Sequence, residues 1–460
     1  MEKIGLPEPF LRRMRELLGA NFGDFAAEYE KEPSRALRIN SLYGFDPVNA
    51  GERFAALFCE LAPVPFDSGS YYFESPPEIK PGNDPLHHAG AFYIQEPSAM
   101  SPVSAVPIRP DMKILDLCAS PGGKSIQAAL RAPDGVIVCN EIIPNRARTL
   151  LSNTERTGLK NAIVTDTDTA TLAKWYDSLF DLVICDAPCS GEGMFRKNPE
   201  AVSEWSPENV KMCAERQRGI LDNAANTVAA DGYLLYSTCT FSLEENEMQI
   251  DSFLHRHPEF ELCEVEGEVI DHTVPGVLFP GCRHSEITRC RRFYPHISRG
   301  EGQFFALMRK PEGGEGAVNY KSSAKAPSKA DLEAVRAFFK DTLGSSEYEF
   351  SLHDGHICIL PGFPVPPYAT FGAGVFAGTI QKGRIEPHHQ LFKAFGQDLL
   401  RKIELSPEEA VRYLRGETLP VDSQNGWAAV TVCGVPLGGG KVVSGILKNH
   451  YPKGLRIPPK

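Results

Sequence analysis

Two cysteines lie in polar loops that follow apolar segments, and both could act as nucleophiles. Cys189 lies in the stretch Asp186-Ala-Pro-Cys-Ser-Gly191, and Cys239 lies in the stretch Ser237-Thr-Cys-Thr240. A thiol at the edge of a sheet can have a lowered pKa and then attack a substrate as a thiolate. A single cysteine is more often a small buried hydrophobic residue, but two in matching polar loops indicate a reactive site. The buried structural role is expected for Cys118, Cys139, Cys185, Cys213 and Cys263.

Four acidic residues that follow successive apolar segments form a second candidate site: Asp116, Glu141, Asp168 and Asp186. The first precedes a Pro-Gly-Gly-Lys turn at residues 121–124, where glycine lets the backbone approach a ligand closely. This turn lacks the spacing of a P-loop and of a Gly-x-Gly-x-x-Gly dinucleotide site. Since a carboxylate such as Glu141 can accept both hydroxyl protons of a ribose diol, the set predicts a nucleoside-type ligand. The alternative role for Asp116 and Asp168 is helix capping.

The elements that precede these loops must bring them together, and the sequence predicts a sheet that does so. Strands are predicted at residues 113–118, 135–141, 161–165, 180–185, 232–237 and 302–308. Helices are predicted between them, for example at residues 143–157 and 206–229. Near-continuous apolar strands separated by helices indicate a parallel sheet that is covered on both faces and binds ligands at its carboxyl edge. The predicted fold class is therefore α/β with a Rossmann-like core.

The chain outside this core divides into smaller predicted units. A helix is expected at residues 6–18 and a strand at 33–42, whereas residues 311–328 have the composition of a linker. A helix at 329–343, a hairpin around Asp354-Gly355, a helix capped by Ser406 and strands within 430–443 follow. The predicted domains are an extension at 1–90, a core at 91–310, a linker at 311–328, an α+β module at 329–385 and a second at 386–460.

Composition limits the class of protein. The net charge of −11 argues mildly against a nucleic-acid partner, but residues 281–310 hold seven basic against two acidic residues, and residues 441–460 hold five basic and no acidic residues. These two basic segments could contact phosphate, or they could be ordinary solvated surface.

The sequence contains no apolar stretch long enough to span a membrane and no secretion signal near its start. Twelve cysteines without framework spacing indicate a cytoplasmic protein with reduced thiols.

The motifs named above resemble those of a known family, the RNA cytosine-5 methyltransferases of the Nol/Nop/Sun type. The resemblance rests on Asp-Ala-Pro-Cys-Ser-Gly at 186–191, Ser-Thr-Cys-Thr at 237–240, Pro-Gly-Gly-Lys at 121–124, Gln-Glu-Pro-Ser-Ala at 95–99 and Arg-Lys-Asn-Pro at 196–199. Residues 33–40 resemble the family's amino-terminal RNA-binding extension. Residues 439–456 resemble the PUA-like module of its bacterial small-subunit ribosomal RNA branch. The family therefore implies a class I S-adenosylmethionine-dependent methyltransferase core between an α/β extension and an α+β RNA-binding module.

The resemblance assigns roles to individual residues. It implies Cys239 as the nucleophile, Cys189 as the second cysteine and Asp186 as the acid between cofactor and base. The residues that it implies for S-adenosylmethionine are Cys118, Ala119, Ser120, Pro121, Gly122, Gly123, Lys124, Glu141, Asp168 and Asp186. Asp166 competes with Asp168 for the position near the adenine. Lys124 and Arg196 could meet a phosphate or the cofactor carboxylate, or could equally be surface charges. No metal is implied, since Cys282, His284, Cys290 and His296 match no common zinc spacing.

The implied chemistry explains why cysteine is needed. Carbon 5 of cytosine is a poor nucleophile, but addition of the Cys239 thiolate at carbon 6 creates an enamine that can attack a methyl sulfonium. Asp186 would stabilise the ring, and Cys189, or a water that it positions, would take the C5 proton on release. A base in a structured RNA must leave its stack to enter such a pocket.

Several alternatives remain open at this point. In DNA cytosine-5 methyltransferases the nucleophile follows a proline, which here would be Cys189. A transfer RNA substrate, or a non-catalytic RNA-binding role in ribosome assembly, is also compatible with the sequence.

We expect a monomer whose partner is RNA, either ribosomal RNA or the small ribosomal subunit. The linker composition further predicts that deleting residues 320–460 weakens RNA binding or site choice without harming cofactor binding.

Overall fold

The amino-terminal region contributes two helices, one helical turn and a small antiparallel sheet. A computed structural model describes residues 5–44, 58, 60–76, 78–353 and 355–458. The elements of this region are α1 (Glu8–Leu18), α2 (Phe22–Glu28), β1 (Ala36–Ile39), β2 (Glu60–Pro63), β3 (Ser70–Glu74), α3 (Pro85–His88) and β4 (Phe92–Gln95). Its sheet has the order β2-β3-β1-β4. The rings of Phe10 and Phe195 pack edge to face with centroids 5.0 Å apart, which attaches α1 to the central domain.

A sheet of ten strands forms the centre of the molecule. The elements of the central domain are α4 (Ser101–Ser104), β5 (Lys113–Asp116), α5 (Gly123–Arg131), β6 (Val136–Asn140), α6 (Pro144–Thr157), β7 (Ala162–Thr165), α7 (Thr169–Trp175), β8 (Tyr176–Asp177), β9 (Phe180–Asp186), α8 (Pro199–Glu204), α9 (Pro207–Ala225), β10 (Val228–Thr238), α10 (Glu247–Arg256), β11 (Glu261–Leu262), β12 (Val274–Pro275), β13 (Arg291–Phe293) and β14 (Gln303–Arg309). The sheet order runs β12-β13-β14-β10-β9-β5-β6-β7, with β11 paired to β14, and the tenth strand is a C-terminal segment that pairs with β7. Strands β10, β9, β5, β6 and β7 are parallel to one another.

Both faces of the central strands are buried. Leu115 and Val138 belong to one apolar cluster, whereas Ile114 and Ile137 belong to a second cluster, because neighbouring residues of a strand point to opposite faces. Burying one such side chain contributes about 1.5–3 kcal/mol to stability. This two-sided burial explains the near-continuous apolar segments of the sequence, and it confirms the predicted α/β, Rossmann-like fold class.

Two predictions for this domain need correction. Helix α9 ends at Ala225 rather than at residue 229, because Val228 already pairs with Phe180 in the sheet. The last strand, β14, runs antiparallel to β10, so the sheet is mixed rather than wholly parallel. It follows β13 as an antiparallel neighbour, a connection that needs no crossover helix.

The C-terminal region forms two small sheets with three helices. Its elements are β15 (Ala317–Val318), α11 (Lys329–Leu343), β16 (Phe350–His353), β17 (His356–Ile359), β18 (Thr370–Ala373), β19 (Val375–Gln381), β20 (Arg384–Pro387), α12 (His389–Phe395), β21 (Lys402–Leu405), α13 (Pro407–Leu414), β22 (Leu419–Pro420), β23 (Gly426–Val432), β24 (Val435–Val443) and β25 (Ile446–Asn449). The sheets have the orders β16-β17-β19-β20 and β21-β23-β24-β25-β22. Ser406 caps α13 as predicted. The predicted hairpin corresponds to β16 and β17, although its turn residue Asp354 lies outside the described residues.

The segment at residues 311–328 is not the flexible tether that its composition predicts. Within it, β15 pairs with β8 of the central domain, and the Tyr320 hydroxyl donates a hydrogen bond of 2.7 Å to the Pro364 carbonyl. The Tyr320 ring also packs on Trp175, with centroids 5.8 Å apart. Further along, β18 pairs with β7 and so forms the last strand of the central sheet. The C-terminal region is therefore packed against the central domain through main-chain hydrogen bonds.

Candidate functional site

The two cysteine loops begin side by side at the carboxyl edge of the central sheet. In the parallel pair β9 and β10, Ser237 lies opposite Asp186, so the loops that follow leave the sheet together. The Sγ atoms of Cys189 and Cys239 are 3.3 Å apart, and both side chains are partly exposed. The hydrogen bond with Cys239, together with burial, raises the pKa of Cys189 well above its usual range. The raised pKa favours Cys189 as the donor in the hydrogen bond between the two sulfurs.

A buried carboxylate, Glu245, holds both cysteine loops. It accepts hydrogen bonds from Ser190, next to Cys189, through the backbone nitrogen at 3.0 Å and the hydroxyl at 2.5 Å. It also accepts 2.8 Å bonds from the hydroxyl of Ser242, in the loop after Cys239, and from Nε2 of Gln217 on α9. The Ser190 hydroxyl lies 2.9 Å from the hydroxyl of Thr240. Burial raises the pKa of Glu245, and these donors oppose the shift. Glu245 thus connects the loop of Cys189 to the loop of Cys239.

A second buried layer fixes the turn that carries Glu245. Asn246 accepts a 2.6 Å bond from the hydroxyl of Thr238 and donates a 2.9 Å bond to the Thr240 carbonyl. Arg292 forms a two-point ion pair with Glu247, and both side chains are almost wholly buried. Such a pair is costly to break, because the remaining charge would be left buried and unpaired.

The glycine turn after β5 is hydrogen-bonded to β6 and α6. The Ala119 nitrogen donates a 2.8 Å bond to the Asn140 carbonyl, and Asn153 donates a 2.8 Å bond to the Pro121 carbonyl. Gly122 has a φ of +113°, and a Cβ there would lie 3.2 Å from Leu150, so glycine is favoured at this position. Helix α5 begins at the next residue, and its first N–H groups favour an anionic ligand group.

Asp186 lies between the glycine turn and the cysteines. Its carboxylate forms a 2.8 Å ion pair with Lys124 of α5 and accepts a 2.7 Å hydrogen bond from the Ser237 hydroxyl. Asp116 is instead turned into the interior, where it accepts a 2.6 Å bond from Ser125, and burial raises its pKa to about 7. The four acids therefore differ in their exposure, and not all of them can contact a ligand directly. Asp186 is partly exposed, whereas Asp116 supports the start of α5.

The other two acids lie at the far side of the glycine turn. Glu141 accepts a 3.0 Å bond from the Ile143 nitrogen and lies 3.3 Å from Arg146. Asp168 caps α7 through bonds of 2.9 and 2.7 Å from the nitrogen and hydroxyl of Thr171, which lower its pKa. The capping alternative therefore applies to Asp168 whatever else it binds. Asp166 is two residues away and half-buried, so the choice between Asp166 and Asp168 stays open.

Part of the first basic segment, residues 281–310, is not the free positive patch that its composition suggests. Two of its arginines pair with acids from outside the segment: Arg283 pairs with Asp251 at 3.0 Å, and Arg309 pairs with Asp231 at 2.9 Å. Arg292 is buried in the ion pair described above. A count along the chain cannot include such partners, because they approach only in the folded state. The segment at 441–460 differs, since Lys448 and Lys453 are exposed, whereas Lys460 lies outside the described residues.

Neither Lys124 nor Arg196 is a surface charge. Lys124 is buried beside Asp186, and Arg196 is buried against Glu301 with an Nε–Oε2 distance of 2.7 Å. Arg196 also donates to the carbonyls of Glu28 and Gly300, so it joins the amino-terminal region to the central domain and is not free to bind a ligand.

The described ranges, which omit residues 1–4, 45–57, 59, 77, 354 and 459–460, contain neither a membrane-spanning helix nor a metal cluster. No helix there is long and apolar enough to cross a membrane. No group of three or more histidine, cysteine or acidic side chains there could hold a metal ion. Cys282 and His284 both contact Asp251, which already binds Arg283.

Sequence reasoning missed the residues that support the site. Glu245 lies in the acidic run at residues 244–247, which by itself predicts a solvated surface. Gln217 lies on the apolar side of a long helix, and Asn140 ends a strand that is otherwise apolar. The one signal that could have found Glu245 is its place in an acidic run shortly after the cysteine loop.

Family models match three consecutive parts of the chain. The model for the N-terminal domain of 16S rRNA methyltransferase RsmF matches residues 6–97, and that for 16S rRNA methyltransferase RsmB/F matches residues 104–309. The model for the methyltransferase RsmF PUA domain matches residues 400–457. The resemblance seen in the sequence is thereby confirmed at both ends as well as in the core.

Curated relatives match over nearly the whole length. Ribosomal RNA small subunit methyltransferase F of Aliivibrio fischeri (strain MJ11) is 30% identical over 99% of this chain and 98% of its own length. The protein of the same name from Vibrio cholerae serotype O1 (strain M66-2) is 29% identical over 98% of each chain.

Solved structures share the fold. A methyltransferase homolog protein from Pyrococcus horikoshii aligns with a TM-score of 0.58 and 28% identity, over 67% of this chain and 96% of its own. NSun6 from Pyrococcus horikoshii with SFG aligns with a TM-score of 0.55 and 20% identity, over 67% of this chain and 100% of its own, which supports the fold alone. On these matches the protein is an S-adenosylmethionine-dependent methyltransferase, and the chain belongs to the ribosomal RNA small subunit methyltransferase F family.

Proposed function

We propose that this protein transfers a methyl group from S-adenosylmethionine to carbon 5 of cytosine in small-subunit (16S) ribosomal RNA. The observation that carries the proposal is the 3.3 Å separation of the Cys189 and Cys239 sulfurs, at the sheet edge that also holds Asp186. A reaction that forms a thioether with the base and then breaks it needs one group to attack and another to remove a proton. Methylation of an exocyclic nitrogen requires neither cysteine, so the pair favours a carbon target.

The cofactor fits the residues at the other side of this edge. Residues 118–124 provide a close backbone approach and the first N–H groups of α5 for a carboxylate. Glu141 offers a carboxylate to the ribose, and Asp168 or Asp166 lies at the position proposed for the adenine. When bound, S-adenosylmethionine supplies an electrophilic methyl group on a sulfonium. The ion pair of Asp186 with Lys124 links the cofactor side of the cleft to the cysteine side.

In the proposed first step Cys239 adds to carbon 6 of cytosine. The new S–C6 bond would move the C5=C6 electrons to carbon 5 and make it nucleophilic toward the sulfonium methyl that the cofactor would supply, with S-adenosylhomocysteine as the leaving group. The thiol of Cys189 stabilises the attacking thiolate by a hydrogen bond. Asp186 accepts a hydrogen bond from the exocyclic amine or, when protonated, donates one to N3, and either contact stabilises the charge that develops on the ring.

In the proposed release step the C5 proton leaves and the thioether breaks. Cys189, or a water that it positions, takes the proton. The electrons of the C5–H bond then restore the double bond and expel Cys239 as a thiolate. When Cys189 itself is the base, its thiol first loses its own proton to solvent, because only the thiolate can take the C5 proton.

The C-terminal region supports RNA as the partner. Its last sheet lies in the part of the chain that matches the PUA domain, and the exposed Lys448 and Lys453 lie there. Among the cysteines of the described ranges, Cys139, Cys185, Cys213 and Cys290 are buried free thiols, which supports the proposed cytoplasmic location.

A labelled-methyl assay tests the proposal. The full chain would be incubated with isotopically labelled S-adenosylmethionine and either free 16S ribosomal RNA, assembled small subunits, transfer RNA or DNA. We expect labelled 5-methylcytidine after digestion and mass spectrometry, in the ribosomal samples only. Label in another nucleoside, or only in transfer RNA or DNA, would contradict the proposal. Bisulfite mapping of cellular RNA with and without the gene would then identify the cytosine.

We expect Glu245→Gln to slow methyl transfer while cofactor affinity stays unchanged. The amide nitrogen cannot accept a hydrogen bond, so at least one of the donors Ser190, Ser242 and Gln217 loses its acceptor. The cost to stability is about 1–3 kcal/mol, and misplacement of the sulfurs should lower kcat on the order of 10- to 100-fold. Steady-state kinetics and urea unfolding measure both effects.

The matched control for this variant is Glu244→Gln. Glu244 is the neighbouring carboxylate, but it is partly exposed and pairs with Arg13 of α1 rather than with the cysteine loops. It should lose less than about 1 kcal/mol of stability and retain nearly full kcat. Equal losses in the two variants would refute a specific role for Glu245.

A further inference from the structure

We propose that residues 368–374 of the C-terminal region are a positioning element of the S-adenosylmethionine site. The proposal rests on the proposed placement of the cofactor's adenosine beside Glu141 and residues 166–168. The segment includes β18, which is separated from the central domain by about sixty residues of chain yet forms its outermost strand next to β7. The carboxyl end of β7 leads directly into residues 166–168.

Main-chain hydrogen bonds fix this segment to β7. Thr370 lies opposite Thr165, and Gly372 lies opposite Val164. The Asp166 nitrogen donates a 2.9 Å bond to the carbonyl of Ala369, so the attachment continues into the loop beyond the strand. Without β18, β7 would be an open edge of the sheet with unpaired backbone groups.

The segment also contacts α6 and α7, the helices that follow Glu141 and Asp168. Gly372 lies against Leu151 of α6, the helix that begins after Glu141, and Arg148 of the same helix lies 5.7 Å from the ring centroid of Phe371. Tyr368 packs on Trp175 at the end of α7, with ring centroids 5.0 Å apart. Asp168 caps the start of α7. One segment of seven residues thus touches the supports of both acids.

The opposite side of the same loop is held from within the central domain. Asn140 donates bonds of 3.1 and 2.9 Å to the carbonyls of Leu117 and Thr167, and accepts bonds from Thr165 and the Thr167 nitrogen. Residues 165–167 are therefore clamped between Asn140 and β18. Removing one side of the clamp should let the loop move, and any ligand that needs the ordered loop must then supply the cost of ordering it.

The segment is in turn anchored to the C-terminal helices. Gln390 of α12 donates a 3.0 Å bond to the Gly374 carbonyl and accepts a 2.8 Å bond from the Phe376 nitrogen. Deleting residues 320–460 would remove this whole arrangement. The expectation from composition that such a deletion spares cofactor binding is therefore replaced by the opposite one, namely that cofactor affinity falls together with RNA binding.

A substitution in the full chain tests the proposal. A Cβ at residue 372 would lie 2.6 Å from Cδ1 of Leu151, and the two methyl groups of valine increase the overlap, so Gly372→Val should push β18 away from α6. We expect the Kd and the KM for S-adenosylmethionine to rise at least about fivefold, with Gly372→Ala intermediate. The kcat at saturating cofactor and the RNA affinity without cofactor should stay within about twofold. Gly314→Val is the matched control, because nothing lies within 4 Å of its added Cβ.

Hydrogen exchange on the unmodified protein provides a second test that does not depend on a variant folding. Addition of S-adenosylmethionine should slow amide exchange in residues 368–374, although the segment belongs to the C-terminal region. Unchanged cofactor affinity in a folded Gly372→Val, or unchanged exchange in this segment on cofactor binding, would overturn the inference while leaving the methyl-transfer proposal intact. Failure of the unmodified protein to form 5-methylcytidine would overturn the proposed function instead.

Discussion

Replacing Cys239 by alanine is expected to abolish methyl transfer to RNA and to leave S-adenosylmethionine binding unchanged. The proposed reaction has no route to carbon 5 without addition at carbon 6, so the rate should fall on the order of 10⁵-fold, to background. The cofactor site should survive, because the glycine turn is held by Asn140 and Asn153 rather than by the cysteine loops. Transfer of labelled methyl and calorimetric cofactor binding measure the two effects separately.

The matched control is Cys263→Ala. Cys263 follows the short strand β11, is half-buried and belongs to neither candidate site, so its removal should leave turnover nearly intact. Cys239→Ala removes a small side chain that is partly exposed, and its melting temperature should stay close to that of the unmodified protein. Full turnover by Cys239→Ala would end the proposed mechanism, whatever the behaviour of the control.

The central sheet could be predicted because the burial of each strand is visible in the apolar residues of that strand itself. Segments such as residues 182–185 are apolar at every position, since both faces of β9 are buried there. Once these strands are parallel, the loops after them must leave at one edge, and this alone brings Cys189 and Cys239 near each other. The sequence therefore indicated which residues would meet, although not that their sulfurs would come within 3.3 Å.

The supports of the site could not be predicted, because they depend on contacts between distant segments. Glu245 looks like a solvated acid until the fold places Ser190 and Gln217 around it. The charge of residues 281–310 is misleading for the same reason, since the partners of Arg283 and Arg309 lie outside that stretch.

The place of β18 in the central sheet could not be predicted from the sequence either. Residues 370–373 are short and carry one glycine, so neither length nor periodicity marks them as a strand of the central sheet. Their partner β7 lies about two hundred residues earlier in the chain. Domain boundaries inferred from composition place β7 and β18 in different domains, whereas in the structure the two strands pair at the edge of one sheet.

Replacing Cys189 by alanine is expected to have the opposite outcome to replacing Cys239, namely a covalent enzyme–RNA complex that persists on a denaturing gel. Attack and methyl transfer both use Cys239 and should still occur. Release requires a group to take the C5 proton, and Cys189 is the side chain that lies 3.3 Å from the attacking sulfur. Loss of a positioned base typically slows proton transfer on the order of 10²- to 10⁴-fold, long enough for the adduct to accumulate.

The same gel distinguishes the two possible nucleophiles. If Cys239 attacks, the band of retarded mobility appears with Cys189→Ala, requires S-adenosylmethionine for its methylated form, and disappears in the double variant that also lacks Cys239. If Cys189 were the nucleophile, as its place after a proline would suggest by analogy with DNA methyltransferases, the band would appear with Cys239→Ala and never with Cys189→Ala. Rapid turnover of Cys189→Ala without a band would assign the release step to another group. Because the sulfurs are so close, proximity cannot separate these roles, and the covalent product of each variant is the measurement that does.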